Sequence, residues 1–579
     1  MFFHILLFIS SYFQLQNLPA GSGQGAKNGR FDKYEQISRM GIVVAGRRYI
    51  SRKDTSGRMF TLLITGKPEE SIFLDEFPES MGYMEIIPEM GPLTRVNFIF
   101  TRPDTEVTER LNGPELSLEF GVIRKEQRLK NYIRDSLKRP MVEIPELKMK
   151  PYPEIRQLIE IGSYEEALST LQALSIGHGN GLRDLLLGDV NLILGRIATA
   201  KRSYSGVIKR FGNFYFSALS KARLYAITML LENFKPETGT IEAQLSALKP
   251  QNVQDMARIE FAITMQMNEK AKDALRLLIP VTDPVATLYR QNLATRTVRL
   301  NHAARKYAPL SLFCSHNEGL LKLHPQRREM ILKCSHSFYE MEQFSKAVSL
   351  LQEEIRTHGN WRKNDVHAEK LYYMLTKAFF AAGNLFKSEA TARFYLENKG
   401  NDAPREWEVW EIFAKILLGK NRVTAAATAL STALSRIWWK SRVDDLSHRY
   451  VEIIEKTSNP DAMETLLKTI LDLINVGKKL EKTILRAVKL LDKSDRIEKS
   501  VEFMEKVKNP GSYFLVELSR KYQLMGDTIN NILTLEEAML AGGKWGGVAE
   551  RELKLMQHQS AVDKKKMNEV KKIINTGNQ

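Results

Sequence analysis

The chain has 579 residues, of which 43% are hydrophobic and 26% charged, and its formal net charge is +17. This length exceeds what one hydrophobic core supports, so two or more domains or a repeat array are expected. The composition excludes a wholly disordered chain and a protein built of many membrane spans. Two cysteines exclude a fold built on disulfides. The positive charge suits acidic proteins, nucleic acid or anionic lipid, and does not choose among them.

The chain begins with an apolar run, residues 2–13 (FFHILLFISSYF), and continues into a turn-rich stretch of small residues. A run of this length is typical of a signal-peptide core and is short for a membrane span. Ala20 and Ser22 provide a cleavage pattern, so we expect residues 1–22 to be a signal peptide or N-terminal apolar segment. No Lys or Arg precedes the run, which leaves open a misassigned start codon and a cytoplasmic protein. Residues 23–40 are expected to be a flexible linker.

Residues 41–125 are predicted to form a small β-sandwich or barrel-like domain. Segments rich in β-branched and aromatic residues alternate there with Gly, Pro and Asp, which is typical of strands joined by turns. In RVNFIFT the residues Val96, Phe98 and Phe100 fall on one face, which predicts that this face packs on a core. The predicted strands are Gly41–Val44, Met59–Thr65, Ser71–Leu74, Met84–Ile87, Arg95–Thr101 and Leu116–Ile123.

A Phe-Thr-Arg-Pro turn at Phe100–Pro103 follows a long apolar strand. This order of strands weakly resembles the AMIN domains of cell-envelope proteins. The resemblance implies attachment to peptidoglycan or to an assembly in the cell envelope. Because the segment contains no histidine, we do not expect an enzyme's active site there.

The next segment, residues 126–152, is charged at first and then interrupted by prolines. This pattern predicts a connecting helix followed by a Pro-rich linker. After Pro153 the spacing of apolar residues becomes helical, and it stays helical to the C-terminus.

A repeated pattern occurs in the helical part of the chain. It consists of a small residue late in one helix, a turn glycine, an aromatic or aliphatic residue two positions later and an alanine three positions after that. The first two copies lie about 33 residues apart, which is a typical repeat length. The residues that fit the pattern are Gly162, Tyr164, Ala167, Gly188, Gly195, Ala200, Phe344, Ala347, Gly383 and Gly526.

On these residues the region 153–579 resembles the tetratricopeptide (TPR) repeat family. The resemblance implies a mainly α fold, a TPR-like solenoid of antiparallel helix pairs that follows the β domain. Small residues at each helix crossing would let two helices approach closely. The chain departs from the family at Glu342, which stands at a turn glycine, and at Asn531, which stands at the alanine. A non-repeating helical bundle is the alternative.

Cys314 and Cys334 each stand two residues before a histidine, and His324 lies between the two pairs. Cysteine and histidine are zinc ligands. However, residues two apart on a helix point in nearly opposite directions, so one such pair cannot clasp one metal. We therefore expect no metal and no other cofactor. An exported chain would allow a Cys314–Cys334 disulfide, and two independent buried cysteines are the interpretation that we favour.

The motifs of common enzymes and nucleic-acid binders are missing from the sequence. There is no H-E-x-x-H, no G-x-S-x-G and no phosphate loop of the correct spacing, so we do not expect an enzyme. Aromatic and basic residues are not interleaved, and nucleic acid is not an expected partner. The basic stretch Lys564–Lys572 is expected to be a solvated cap of the repeats.

Stacked repeats present a long surface and bring no reactive groups together, so the expected function is protein binding. We expect a periplasmic scaffold whose β domain joins an envelope complex for motility, secretion or division. The alternative is a cytoplasmic adaptor that binds acidic partners or nucleic acid. Aromatic residues near basic ones suit protein interfaces. The residues expected to bind the partner are Tyr372, Lys377, Phe380, Trp410, Lys415, Trp438 and Trp439.

Overall fold

The computed structural model describes most of the chain between residues 34 and 576. The segments it leaves undescribed in that range are 45–46, 55–57, 67–76, 78–80, 90–92, 103–104, 114, 139–144, 176–180, 213–214, 233–237, 249–250, 268–270, 282–283, 359–364, 401–402, 438–441 and 474–479. The predicted signal peptide, the predicted strand Ser71–Leu74 and the pair Trp438–Trp439 lie outside the described residues.

The N-terminal part contains seven described strands. They are β1 (Tyr34–Val43), β2 (Tyr49–Lys53), β3 (Met59–Thr65), β4 (Gly82–Glu89), β5 (Leu93–Phe100), β6 (Thr105–Asn112) and β7 (Glu115–Ile123). They form a three-stranded sheet of order β1-β7-β6 and a four-stranded sheet of order β2-β3-β5-β4. In the second sheet every neighbouring pair is antiparallel, with Phe60 opposite Phe98 and Met84 also opposite Phe98.

Alternation of apolar residues explains why most of these strands were predictable. In β3 the buried residues are Phe60, Leu62 and Ile64, and the residues between them are half-buried. Only the end of β1 was predicted as a strand, and its residues 34–40 fall in the predicted flexible linker. β2 (YISRK) and β6 (TEVTERLN) were not predicted, because their polar sequences show no apolar face. Their pairing partners, and not their own composition, define these two strands.

The chain divides into two compact units. Unit 1 comprises Met1–Met40, Arg102–Arg110 and Ser117–Thr287, and unit 2 comprises Gly41–Thr101, Leu111–Leu116 and Leu288–Gln579. The strands are therefore shared between the units, and each set of strands belongs with its own set of helices.

The helices of unit 1 are α1 (Lys125–Lys138), a short 3-10 helix (Pro145–Lys148), α2 (Tyr152–Ile161), α3 (Tyr164–Ala173), α4 (Leu182–Ile193), α5 (Ile197–Phe211), α6 (Tyr215–Leu231), α7 (Thr238–Ser246), α8 (Gln251–Met267) and α9 (Ala271–Leu278). Helix α10 (Pro284–Ala303) begins in unit 1 and continues into unit 2. Leu129, Tyr132 and Ile133 of α1 are buried, so this helix is part of the core of unit 1.

The remaining helices of unit 2 are α11 (Tyr307–His316), α12 (Glu318–Lys322), α13 (Arg327–Glu340), α14 (Phe344–His358), α15 (Val366–Ala381), α16 (Leu385–Asn398), α17 (Glu406–Gly419), α18 (Val423–Ser435), α19 (Val443–Glu455), α20 (Pro460–Leu473), α21 (Glu481–Lys493), α22 (Ile497–Glu505), α23 (Ser512–Leu524), α24 (Thr528–Ala541) and α25 (Gly543–Thr576). The predicted fold class, mainly α with a TPR-like repeat array after a small β region, is confirmed.

One turn geometry recurs between paired helices of the array. We call the helix before this turn the A helix and the helix after it the B helix. In each case the residue at the turn has a positive φ. At every such turn except the one at Ser458, the next amide donates to a carbonyl five residues earlier, as in Ser163 to Leu158 at 2.8 Å. Among the described residues the turn residues are Gly162, Gly195, Arg305, Glu342, Gly383, Asn421, Ser458, Asp495 and Gly526.

Five of these nine turn residues are not glycine, and this is why their repeats were weak in the sequence. A side chain with positive φ costs roughly 1–2 kcal/mol, so such residues are uncommon outside well-supported turns. Glu342 has a φ of 57° and occupies the turn where the sequence showed no glycine. The repeat pattern therefore depends on the packing around each turn more than on the turn residue itself.

The crossing of A and B helices needs small residues. A Cβ atom at Gly188 would lie 2.4 Å from the ring of Tyr204, which fills the space above it. Ala167 and Ala200, both five positions after their turn residue, are fully buried, and Ser388 and Asn531 occupy the same position in later repeats. Side chains of this size let the two helices approach.

We expect Ala167→Leu and Ala200→Leu each to lower the free energy of unfolding by about 1–3 kcal/mol, because a larger side chain overpacks the crossing. Chemical denaturation of the full chain measures the effect. Lys209→Glu, on the exposed side of α5, is the control and should change stability by less than about 0.5 kcal/mol. Unchanged denaturation midpoints for both alanine variants would contradict this packing.

Cys314 of α11 and Cys334 of α13 are joined by a disulfide, with their Cα atoms 5.9 Å apart. The expectation of two independent buried cysteines is therefore wrong in this structure. Both cysteines occupy buried core positions of neighbouring helices, and the shared core brings their sulfur atoms together. The sequence did not show this, because it gave no register between α11 and α13.

Reduction of this disulfide is expected to destabilise unit 2 by about 3 kcal/mol in the chain-entropy model, since the bond closes a loop with a sequence separation of 20. Thermal unfolding with and without a reductant measures the loss. The double variant Cys314→Ala with Cys334→Ala serves as a control that should no longer respond to the reductant. Labelling of both cysteines by an alkylating agent in native, unreduced protein would show that no bond forms.

Candidate functional site

In unit 2 the four-stranded sheet contacts the A helices through its polar face. Residues opposite one another in antiparallel strands share a face, so Thr61, Asn97 and Glu85 lie on the same side of the sheet. Thr61 donates its hydroxyl hydrogen to Asn97 Oδ1 at 3.0 Å. Glu89, four residues after Glu85 on β4, lies on this face as well.

The A helices α10, α13 and α15 meet this sheet face with basic side chains. We call Arg299, His302, Lys333, His336 and Lys370 the basic cluster. Every member is buried or half-buried. Because these residues come from consecutive A helices, the cluster follows the stacking direction of the repeats.

Ion pairs, and a hydrogen bond of His302, connect the basic cluster to three carboxylates of the β region. Lys333 Nζ lies 3.2 Å from both oxygens of Glu85, and His302 Nδ1 lies 3.1 Å from Glu85 Oε1. Lys370 Nζ donates to Glu89 Oε1 at 2.7 Å. The third carboxylate is Asp54, at the end of β2.

Arg299 pairs with Asp54, and side chains of the helical array hold its guanidinium in place. Its guanidinium donates two hydrogen bonds of 2.8 Å to Glu329 and one of 3.0 Å to Gln326. Burial by itself would lower the pKa of Arg299, but the hydrogen bonds and charges of Glu329 and Asp54 raise it. Arg299 is therefore permanently charged and held in one orientation.

The histidines of the cluster form a half-buried pair. His302 Nε2 and His336 Nδ1 are 3.0 Å apart, and the two rings lie 5.1 Å apart between centroids. Burial lowers the pKa of both residues, and the positive charges of Lys377 and Lys333 help to lower the pKa of His336 to about 3. Both rings are neutral at physiological pH.

Glu85, at the centre of the contact between the sheet and the A helices, is ionised. Burial alone would raise the pKa of Glu85, but the charge of Lys333 and hydrogen bonds from His302 and Lys333 lower it to about 2. Burial lowers the pKa of Lys370, and the charge of Glu89 opposes that effect. The sheet is thus attached to the A helices by buried, charge-assisted hydrogen bonds, which are stronger than exposed ion pairs.

Of the residues expected to bind a partner, three on α15 have neighbours within the array. Tyr372 packs its ring 4.8 Å from that of Phe394. Lys377 Nζ lies 4.5 Å from the ring centroid of Tyr339, a cation–π contact. Phe380 is half-buried.

The two expected residues on α17 differ in exposure. Trp410 is half-buried, donates its indole hydrogen to Glu406 at 3.2 Å and packs on Phe413. Lys415 is exposed and pairs with Glu411 of its own helix at 2.7 Å. Lys415 is therefore the most accessible of the expected partner-binding residues within the described part of the chain.

From α17 onwards a series of ion pairs joins neighbouring helices of the array. Glu411 contacts Arg449 and accepts a hydrogen bond from Tyr450 at 3.0 Å. Arg486 pairs with Glu455 at 2.6 Å, and Arg520 pairs with Glu552 at 3.1 Å. These pairs use much of the charge on this surface, but Lys489 of α21 remains exposed.

The sequence did not reveal the basic cluster or its carboxylates. Their only sequence signal is the spacing of Glu85 and Glu89 on an apolar strand, where two acids on one face need partners. Basic residues on amphipathic helices are too common to mark a site by themselves. The contact joins residues separated by more than two hundred positions, as between Lys333 and Glu85.

The histidines considered as metal ligands make hydrogen bonds within the protein. His316 Nδ1 donates to the carbonyl of Leu312 at 2.7 Å, and His324 Nδ1 accepts from the amide of Gln326 at 2.9 Å. Within the described ranges no group of three metal-ligating side chains is present. None of the described helices has both the length and the hydropathy needed to cross a membrane.

A shallow depression of about 750 Å³ lies over α14 and the start of α16. It is lined by Ser345, Val348, Ser349, Gln352, Glu353, Arg356, Phe379, Ala382, Asn384 and Lys387. The lining is mostly polar and charged.

Comparison with known proteins gives no close relative. No protein-family model and no curated protein matches the sequence. Among solved structures, the chain is similar to one of Naa15/Naa10 bound to HypK-THB, with 11% identity, a TM-score of 0.30 and coverage of 63% of this chain and 64% of that one. It is also similar to the APC/C hetero-tetramer Cut9-Hcn1, with 11% identity, a TM-score of 0.23 and coverage of 69% and 82%.

The chain thus spans 64% of the first of these proteins, and both likenesses are too remote to indicate a function. The assignment of the fold rests on the recurring turns and the small residues at the helix crossings. The chain is a mainly α, TPR-like helical-repeat protein with a small two-sheet β region.

Proposed function

We propose that this chain is a non-enzymatic scaffold that binds acidic segments of other proteins on its A helices. The observation that carries the proposal is the contact between the basic cluster and the chain's own β4. Three consecutive A helices hold an extended strand by its carboxylates, as Lys333 holds Glu85 and Lys370 holds Glu89. A protein partner with acidic side chains at similar spacing would be held by the same chemistry.

The later A helices offer the accessible part of this surface. In the described residues the ion pairs of the β region reach as far as α15, through Lys370. On α17 and α21 Lys415 and Lys489 are exposed. These lysines continue the positive charge of the cluster and are free of contact with the sheet among the described residues. A partner would therefore bind next to the chain's own β region.

We also propose that the scaffold acts in the periplasm as part of an envelope assembly, such as one for motility, secretion or division. Support comes from the apolar run at residues 2–13 and from the Cys314–Cys334 disulfide, since disulfides persist in oxidising compartments. The AMIN-like order of strands suggests that the β region contributes to attachment, including contact with peptidoglycan. A cytoplasmic adaptor is the second candidate, and the net charge of +17 favours it only weakly.

Charge reversal at Lys415 and Lys489 tests the proposed surface. In cells that express the chain, mild cross-linking and affinity capture should recover several-fold less partner with the double variant Lys415→Glu, Lys489→Glu. The remaining capture should depend less on salt, because two favourable charges are lost. Lys209→Glu with Lys554→Glu is the matched control, since it reverses two exposed charges away from these positions.

Equal capture of the partner by the double variant and by the control would show that the partner does not bind these A helices. The N-terminal sequence of the mature protein separately tests the cellular compartment. A new terminus just after Ala20 or Ser22 would support export, and an intact N-terminus in the cytoplasmic fraction would favour the adaptor.

A further inference from the structure

The outer side of α24 carries an exposed apolar stripe. Ile529, Leu533 and Leu540 are exposed to 72%, 52% and 82%, and their spacing of four and then seven residues places them on one face of the helix. The opposite face of α24 is packed, because Leu535 and Ala538 are buried in the last core cluster. The stripe is therefore additional to the residues that hold the repeat together.

The exposed surface of the preceding B helix is different in character. The exposed positions of α22 include Glu498, Lys499 and Glu505, all of them charged. Contiguous apolar side chains on a soluble protein usually mark an interaction surface. The stripe on α24 thus has the features of an interaction surface.

Charge on the stripe restricts what the occupant can be. Glu536 lies seven residues after Ile529, so it falls within the stripe, and Glu537 stands beside it; both are exposed. A charged residue among apolar ones favours a partner that carries the opposite charge at the facing position. The complementary surface is an apolar helix face bordered by basic residues.

Such a helix is present at the end of this same chain. α25 has 34 residues and α24 has 14. The first part of α25 packs in the last core cluster through Ala549 and Leu553. After Met556 the helix continues for about 30 Å at 1.5 Å per residue, beyond the length of α24.

The sequence of this extension, residues 557–576, has the complementary pattern. Met567, Val570 and Ile574 recur with the spacing of one helix face, and they are interspersed with Lys564, Lys565, Lys566, Lys571 and Lys572. A helix of this length and composition is marginal in water without a partner for its apolar face.

We propose that two copies of this chain associate by exchange, with the α25 extension of each copy on the α24 stripe of the other. The extension cannot reach the stripe of its own chain, because α25 is one continuous helix packed on the opposite face of α24. Reciprocal exchange forms a closed two-fold dimer. Glu536 and Glu537 of each stripe face the lysines of the incoming helix.

Sedimentation equilibrium of the full chain tests this exchange. At micromolar concentration we expect twice the mass of one chain. The variant Leu533→Glu with Leu540→Glu, and a chain truncated after Gln559, should each have the mass of one chain. Leu323→Glu replaces an apolar residue of similar exposure, 82%, outside the stripe and should leave the dimer intact. Circular dichroism checks that each variant keeps its helical content.

Charge exchange distinguishes the proposed pairing from other kinds of dimer. Glu536→Lys with Glu537→Lys should raise the dissociation constant at least tenfold. Combining it with Lys566→Glu and Lys571→Glu should restore most of the affinity. A single-chain mass for the unmodified protein at tens of micromolar would overturn the proposal. A dimer that survives both the stripe variant and the truncation would overturn it as well.

Discussion

Arg223→Met is expected to lower the free energy of unfolding of unit 1 by about 3–5 kcal/mol, because it leaves two carboxylates buried without a cation. Arg223 is 1% exposed. Its guanidinium donates to Asp189 at 3.1 Å and to Glu260 at 2.9 Å. Burial alone would lower the pKa of Arg223, but Tyr132, Asp189 and Glu260 raise it, so the side chain is charged.

The network around Arg223 joins several elements of unit 1. Tyr132 and Ser136 of α1 donate to Glu260 of α8 at 2.9 and 3.1 Å. Tyr204 of α5 donates to Asp189 of α4 at 2.7 Å. Burial raises the pKa of Asp189 in spite of Arg223, so the loss of the cation would make its ionised form less stable still.

Urea denaturation followed by hydrogen exchange of α4, α6 and α8 measures the loss. Arg196→Met is the matched control: Arg196 is exposed and pairs with Glu165 at 2.7 Å, so its loss should change stability by less than about 1 kcal/mol. Adding Glu260→Gln to Arg223→Met should recover part of the stability, because one unpaired charge is removed. Equal effects of Arg223→Met and Arg196→Met would contradict the role of this network.

Acidification is expected to destabilise the contact between the four-stranded sheet and the A helices. His336 has a pKa of about 3 in the folded chain, below the value of 6.5 for a free histidine. As the pH falls below 6.5 the unfolded chain binds a proton that the folded chain does not, so stability falls. Between pH 6.5 and 4.5 this loss is about 2 kcal/mol, and the lowered pKa of His302 adds to it in the same direction.

Glu85 adds to the loss of stability at lower pH. Its folded pKa is about 2 and its ordinary value is 4.5. Its contribution to stability is therefore complete above pH 4.5 and is lost as the pH falls from 4.5 towards 2. The histidines and Glu85 together make the attachment of the sheet progressively weaker in acid.

Urea denaturation of the full chain at pH 7.5, 6.5, 5.5 and 4.5 measures this dependence. The double variant His302→Gln, His336→Gln should lose most of the decrease between pH 6.5 and 4.5. His316→Gln, at an exposed histidine, is the control and should keep the full decrease. If the double variant and the control depend on pH in the same way, the histidine pair is not the cause.

Local sequence determined the class of the fold and the positions of most repeat landmarks. Amphipathic spacing marked the helices, and small residues such as Gly188 and Ala200 marked the crossings, because each signal involves neighbours within one or two turns. β3 was predicted with its observed bounds for the same reason, since its apolar residues alternate along the strand itself. The repeats with Asn421, Ser458 and Asp495 at the turn were weaker, because packing and not glycine supports the positive φ there.

Only the tertiary structure decided how distant segments are combined. The basic cluster, the Arg223 network and the Cys314–Cys334 bond join residues whose types alone are common on any helix. The sequence predicted a connecting helix and a Pro-rich linker between the β domain and the helical array. The structure adds that this helix, α1, is buried in unit 1 and that β4 is ion-paired with α13 and α15. Such contacts depend on which faces meet after the helices stack. The residue pattern of a single helix or strand does not specify the face against which it packs.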